Sequence, residues 1–96
     1  MPPVTVVAKV VARKEALDRV MPELLKLVPL TRQESGCIEY NLHQDNENPA
    51  VFIFYETWES AAALEQHMNS KHFKAYIAAV DGMIEDKTVH ILTRIA

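Results

Sequence analysis

The chain has 96 residues, of which 49% are hydrophobic and 24% are charged, and its formal net charge is −3 at pH 7. This length predicts one domain spanning 1–96, small enough that association with a second copy would add useful stability. The mild acidity and the scattered Lys and Arg residues argue against a nucleic-acid partner, because proteins that bind nucleic acids normally carry a basic patch.

A single cysteine, Cys37, excludes an intrachain disulfide and a metal site built from cysteines. Apolar runs stay well short of the roughly 18 residues that a membrane span requires. The N-terminus also lacks the charged and apolar regions of a signal peptide. We therefore expect a cytoplasmic protein with no membrane partner.

The first half of the chain predicts a strand followed by a helix. Alternating β-branched residues favour a strand from Val4 to Ala12. Apolar residues at helical spacing then predict a helix from Lys14 to about Thr31. Pro22 predicts a kink or irregular turn inside that helix, because proline removes a backbone donor and clashes with the preceding turn. Pro29 predicts its fraying end, and Ser35-Gly36 predicts a break.

The second half predicts a hairpin, a helix in two pieces and a last strand. Strands from Cys37 to Gln44 and from Val51 to Trp58 flank a cluster of turn-forming residues. Ser60 is a candidate N-cap for a helix through Met68, and Ser70 for a second piece to about Val80. A final strand is expected from Glu85 to Ile95. The order β-α-β-β-α-β predicts an α+β, ferredoxin-like fold with a four-stranded antiparallel sheet.

Two of the predicted strands are apolar on both faces. The third strand places Phe52 and Phe54 on one face and Val51, Ile53 and Tyr55 on the other. Helices can cover only one face, and an extensive apolar surface usually marks an interaction site. We therefore expect a homodimer that packs through the open sheet face; the alternative is that this face tolerates a few exposed valines.

Of the four histidines, His67 has the position most suggestive of chemistry. It borders the apolar stripe of its helix, where an imidazole is either a hydrogen-bonded structural group or a general acid or base. His67 and His72 lack the i, i+4 spacing of a helical metal pair, and no acidic partner is evident, so we expect no metal site.

Aromatic residues gather where the third strand meets the following helix. Trp58 ends the strand, and Phe73 and Tyr76 follow on the helical segment. Each of them is explained by core packing, although a buried Tyr76 hydroxyl needs a partner or a cavity. Glu56 lies among these aromatics, where a carboxylate requires a partner or a raised pKa. With only Gly36 and Gly82, the chain lacks a glycine-rich phosphate loop, so we expect no flavin or nicotinamide cofactor.

Three segments together resemble the antibiotic biosynthesis monooxygenase family. They are Ser35-Gly36-Cys37-Ile38-Glu39-Tyr40, Phe54-Tyr55-Glu56-Thr57-Trp58, and His67 with Ser70-Lys71-His72-Phe73. The resemblance extends over essentially the whole chain. It implies a dimeric α+β barrel of ferredoxin-like protomers, with a pocket between sheet and helices in each.

The resemblance also implies an activity. Oxygenases of this family oxidise small quinol or phenolic substrates with dioxygen and without metal or flavin, so no cofactor is expected. His67 would be the catalytic base, and Tyr76 or Asn41 would donate hydrogen bonds to the developing oxyanion. The implied substrate-binding residues are Trp58, Phe73, His72, Tyr40, Asn41 and Glu56.

Two other functions remain open at the level of sequence. One is an isomerase or degrader of a small signalling metabolite, in which His67 transfers a proton without oxygen. A phosphorylated metabolite would need a cationic subsite, for which Lys71 and Lys74 are candidates. The other is a dimeric module that binds a hydrophobic metabolite without catalysis.

Overall fold

The elements of the fold follow one another in the predicted order. A computed structural model describes residues 2–96. Its regular elements are β1 (Val4–Ala12), α1 (Leu17–Arg32), β2 (Cys37–Gln44), β3 (Val51–Trp58), α2 (Ala61–Met68), α3 (Lys71–Ala79) and β4 (Ile84–Leu92). A short 3-10 turn, Lys14–Ala16, leads into α1.

The four strands form one antiparallel sheet in the order β2-β3-β1-β4, which confirms the ferredoxin-like fold. Valine-rich β1 and the aromatic-rich β3 therefore occupy the centre. Val6 of β1 lies opposite Glu56 of β3 and Ile91 of β4, so these three side chains share one face. The helices pack on this face, which we call the covered face.

The core lies between the covered face and the helices. Its buried side chains come from β1, β2 and β3 and from each helix, and they include Val6, Val10, Tyr40, Phe52, Phe54, Trp58, Val20, Leu24, Leu27, Leu64 and Tyr76. Val20, Leu24 and Leu27 of α1 follow the apolar spacing seen in the sequence.

The two prolines do not interrupt α1, and the helix ends one residue beyond the predicted end near Thr31. Both Pro22 and Pro29 lie inside an uninterrupted helix that continues to Arg32. The irregular turn lies before the helix, at Lys14–Ala16. Each proline removes only one backbone donor. The buried residues Val20, Leu24 and Leu27, which lie before and after Pro22, remain packed in the core.

The last strand is shorter than predicted, since β4 ends at Leu92 rather than at Ile95. Leu92 pairs with Thr5 of β1. Continuing this register would place Arg94 opposite Pro3 and Ile95 opposite Pro2. Proline cannot donate to a strand ladder, which accounts for the end of the pairing.

The loop between α1 and β2 is held tightly against the start of α2. A side chain at Gly36 would overlap the Cβ of Ala63, so only glycine fits there. The backbone N–H of Glu59 also donates to the carbonyl of Gly36. The side chain of Ser60 caps α2 as predicted by accepting from the N–H of Ala63. These contacts fix the loop, including Glu34, beside α2.

The other side of the sheet, which we call the open face, carries no helix within residues 2–96. Val7, Val11, Val51 and Ile53 are partly exposed on it, and Tyr55 is 42% exposed. This face is as apolar as the sequence predicted. No helix in the described part of the chain is long and apolar enough to cross a membrane.

Candidate active site

A cavity of about 510 Å³ lies between the covered face and the helices α2 and α3. Its volume is in the range of small-molecule sites. Val6, Phe54 and Glu56 line it from the sheet, and Phe73 and Tyr76 line it from α3. The exposed edge strand β4 contributes to its rim. The walls are mainly apolar, and they include a few polar side chains.

His67 of α2 lines this cavity, and its ring is hydrogen-bonded to Glu34, which lies outside the cavity lining. The imidazole is only 2% exposed. Its Nδ1 atom lies 2.7 Å from Oε2 of Glu34, which comes from the loop after α1. Because a carboxylate only accepts hydrogen bonds, this contact places the proton of the neutral ring on Nδ1.

The second ring nitrogen of His67 is consequently an acceptor. Nε2 makes no hydrogen bond to any residue in 2–96. Burial lowers the pKa of His67 below its ordinary value, and the hydrogen bond to Glu34 opposes that effect only in part. A neutral imidazole with a free Nε2 is the form that can take a proton near neutral pH.

His72 of α3 binds the same carboxylate oxygen. Its Nε2 atom is also 2.7 Å from Oε2 of Glu34. His72 is partly exposed and does not line the cavity. Glu34, His67 and His72 each offer one donor atom, and these atoms all lie within 4.8 Å of one another. The acidic partner missing from the sequence-based argument against a metal site is therefore present in the fold.

Aromatic rings surround His67 on several sides. The ring centroids of Trp58, Phe73 and Tyr40 lie 4.8, 5.0 and 5.6 Å from that of the imidazole. Trp58 is fully buried beneath His67 and does not line the cavity. This packing fixes the ring plane and removes water from His67, which accounts for the direction of its pKa shift.

Glu56 is the acidic group of the cavity wall. Its Oε1 accepts a hydrogen bond of 2.9 Å from Nε1 of Trp58. Burial raises the pKa of Glu56 to about 7, while the bond from Trp58 acts in the opposite direction. Near neutral pH this carboxyl therefore exists in both forms, and its protonated form is a hydrogen-bond donor.

Two tyrosines face the same space. Burial raises the pKa of Tyr76 to about 12 and raises that of Tyr40 further. Both phenols are therefore neutral donors at physiological pH. The Tyr76 hydroxyl makes no hydrogen bond within the described residues, and Tyr76 lines the cavity. It is available to an oxygen atom of a bound molecule.

The structure brings most of the predicted site residues to one cavity. His67, Tyr76, Phe73, Tyr40 and Glu56 all line it, whereas Trp58 and His72 lie behind His67.

Asn41 lies elsewhere. It pairs with Tyr55 on the open face, where its amide donates to Glu39 and its carbonyl accepts from Arg32. The strand alternation turns it away from the cavity, so its predicted contact with substrate lacks structural support. Neither Lys71 nor Lys74 lines the cavity either.

Glu34 is the site residue that the sequence reasoning missed. It is separated from His67 by 33 residues and from His72 by 38. No local spacing connects such residues. The one available signal was an acidic residue immediately before the Ser35-Gly36 break, at a loop that the fold brings to the start of α2.

Comparison with known proteins agrees with this architecture. The family model described as antibiotic biosynthesis monooxygenase matches residues 3–79. The "Probable quinol monooxygenase YgiN" of Escherichia coli (strain K12) is 33% identical over 98 residues, covering 92% of this chain and 94% of its own.

Solved structures superpose closely. PA3566 from Pseudomonas aeruginosa has a TM-score of 0.94 at 32% identity, covering 100% of this chain and 97% of its own. Rv0793 from Mycobacterium tuberculosis has a TM-score of 0.91 at 27% identity, covering 98% of this chain and 96% of its own. Sequence and fold thus agree, and the chain belongs to the antibiotic biosynthesis monooxygenase family.

Proposed function

We propose that this protein is a monooxygenase that oxidises a small quinol or phenolic substrate with dioxygen, without metal or flavin. The observation that carries the proposal is His67, a buried neutral imidazole at an apolar cavity whose Nδ1 is held by Glu34 and whose Nε2 is free. The name of the Escherichia coli relative supports the substrate class.

The first step is proton transfer from a substrate hydroxyl to Nε2 of His67. Glu34 stabilises the imidazolium that forms, because it already accepts from Nδ1. The resulting aryloxide is electron-rich and passes an electron to dioxygen. For a naphthol, the overall change is naphthol plus O₂ to naphthoquinone plus water, so one oxygen atom enters the ring and the other is reduced.

The other cavity residues bind and orient the substrate. Phe73 and Tyr40 provide flat apolar walls, and Tyr76 donates a hydrogen bond to a substrate oxygen. The protonated form of Glu56 can donate a second one. Trp58 acts indirectly by supporting both His67 and Glu56, and His72 acts through Glu34.

We also propose that the working unit is a homodimer joined through the open face, forming the α+β barrel. The apolar character of Val7, Val11, Ile53 and the exposed Tyr55 supports this proposal, because a monomer would leave them in water. Ile53→Lys should convert the dimer to a monomer in sedimentation experiments. A cytoplasmic location, based on the single cysteine, stays a prediction.

Oxygen uptake tests the function. Protein treated with a chelator and free of flavin absorbance should consume oxygen with naphthol or menadiol, and mass spectrometry should find one ¹⁸O atom from ¹⁸O₂ in the product. Isomer formation without oxygen would instead assign a proton-transfer enzyme. Tight binding without turnover across a phenolic panel would assign a binding module, and either result would refute the proposal.

A further inference from the structure

Three side chains converge on one point beside Nδ1 of His67. Glu34 comes from the loop after α1, His67 from α2 and His72 from α3. Oε2 of Glu34 lies 2.7 Å from Nδ1 of His67 and 2.7 Å from Nε2 of His72. In the proposed oxidation His72 acts only through Glu34, so the two histidines on one carboxylate oxygen leave room for a further role.

The donor set is that of a first-row divalent cation. Two imidazole nitrogens and one carboxylate oxygen are common ligands of zinc, and three protein ligands leave further positions for water. Metal–nitrogen bonds of about 2.0–2.1 Å place neighbouring ligand atoms roughly 3 Å apart. Oε2 of Glu34 lies 2.7 Å from each histidine nitrogen, and all three donor atoms lie within 4.8 Å of one another, so the two histidine nitrogens would have to approach each other to enclose one ion.

The cluster has access to solvent from the side away from the cavity. The side chains of Glu34 and His72 are 17% and 19% exposed, whereas that of His67 is 3% exposed. Neither Glu34 nor His72 lines the cavity. An ion at this position would therefore bind Nδ1 of His67 and would not meet a molecule bound in the cavity.

Coordination would change which nitrogen of His67 carries the proton. In the structure Nδ1 holds the proton, because Nδ1 donates to Glu34. A metal ion must occupy the lone pair of Nδ1, so a neutral ring then carries its proton on Nε2. The nitrogen available to accept a proton thereby becomes a donor. In the same way, the proton of His72 moves from Nε2 to Nδ1.

We propose that Glu34, His67 and His72 form a binding site for one divalent cation of the zinc type, and that occupancy inhibits the enzyme by moving the His67 proton to Nε2. The binding statement is independent of the proposed oxygenase activity, whereas the inhibition statement rests on it. The cation acts here as an inhibitor bound to Nδ1 of His67, and it takes no part in the oxidation.

Zinc titration of the purified protein tests the binding statement. We expect one Zn²⁺ per chain by calorimetry, with the affinity lowered at least tenfold in Glu34→Gln and in His72→Gln. His43→Gln, which changes an exposed histidine of β2, is the matched control and should bind as the wild type does. Circular dichroism confirms that each variant is folded. Absent binding, or equal binding in all variants, would overturn the proposal.

Nitrogen NMR tests the tautomer directly and needs no substrate. In the metal-free protein the imidazole spectrum of His67 should show Nδ1 protonated and Nε2 bare, and zinc should reverse this pattern. Oxygen uptake should fall as the site fills and recover with chelator. An unchanged tautomer, or full turnover at saturating zinc, would overturn the inhibition statement. If no substrate turns over, the titration and the spectra still decide both binding and tautomer.

Discussion

The two faces of the sheet are built from the same strands and differ in almost every other respect. On the covered face, β3 places Phe52, Phe54, Glu56 and Trp58 in buried positions. On the open face, its alternate residues are partly or largely exposed, and Tyr55 is among them. Burial thus gives the covered face its chemical character, because burial raises the pKa of Glu56 there to about 7 and the same face lines the cavity.

The largest expected contrast in stability compares Trp58 with Tyr55, which lies on the opposite face of the same strand. Trp58→Ala should lower the free energy of unfolding by about 3–5 kcal/mol, because it empties a fully buried site. Tyr55→Ala should cost roughly 1 kcal/mol or less, because Tyr55 is 42% exposed in the monomer. Urea denaturation at low protein concentration measures both. Similar losses for the two variants would contradict the division between the faces.

A second contrast concerns pH and compares Glu56 with Glu39. The pKa of Glu56 is raised to about 7 in the folded chain, so its favourable contribution is complete below the unfolded value of about 4.5 and is lost as pH rises through 7. Glu56→Gln should therefore gain up to about 3 kcal/mol relative to wild type between pH 5 and pH 8.

Glu39→Gln is the control, because Glu39 is exposed on the open face. Urea unfolding at several pH values should show a pH dependence close to that of wild type for this variant. If Glu56→Gln and wild type lost stability in parallel from pH 5 to pH 8, the carboxyl of Glu56 would not be the buried group described here.

A smaller effect is expected where the loop carrying Glu34 meets α2. Gly36→Ala should cost about 1–2 kcal/mol, because the new methyl group would overlap Ala63. Adding Ala63→Gly to the same chain should return part of that loss by making room. Thermal unfolding of the two single variants and the double variant gives the coupling. Independent, additive effects would show that this contact does not hold the loop.

The fold was largely predictable because its signals are local. Alternation identified the strands, and the serines at 60 and 70 marked the starts of α2 and α3 as the structure confirms. The end of β4 was misjudged because it depends on which residues lie opposite. There, Pro2 and Pro3 cannot continue the ladder.

The site was only partly predictable, because a cavity is made by distant segments. The aromatic residues Trp58, Phe73 and Tyr76 could be found because they lie at or after the end of β3 in the sequence. Glu34 could not, since its contacts to His67 and His72 span more than thirty residues. Asn41 was included through the family resemblance, although simple alternation with Tyr40 already placed it on the other face. The structure follows the alternation.

The central claim is that His67 is the proton acceptor at the cavity. The most direct measurement is oxygen uptake by His67→Ala in the absence and presence of added imidazole. Loss of a general base should lower turnover by about 10²- to 10⁴-fold, and free imidazole should restore part of it by entering the vacated space. Full turnover in His67→Ala without imidazole would contradict the account.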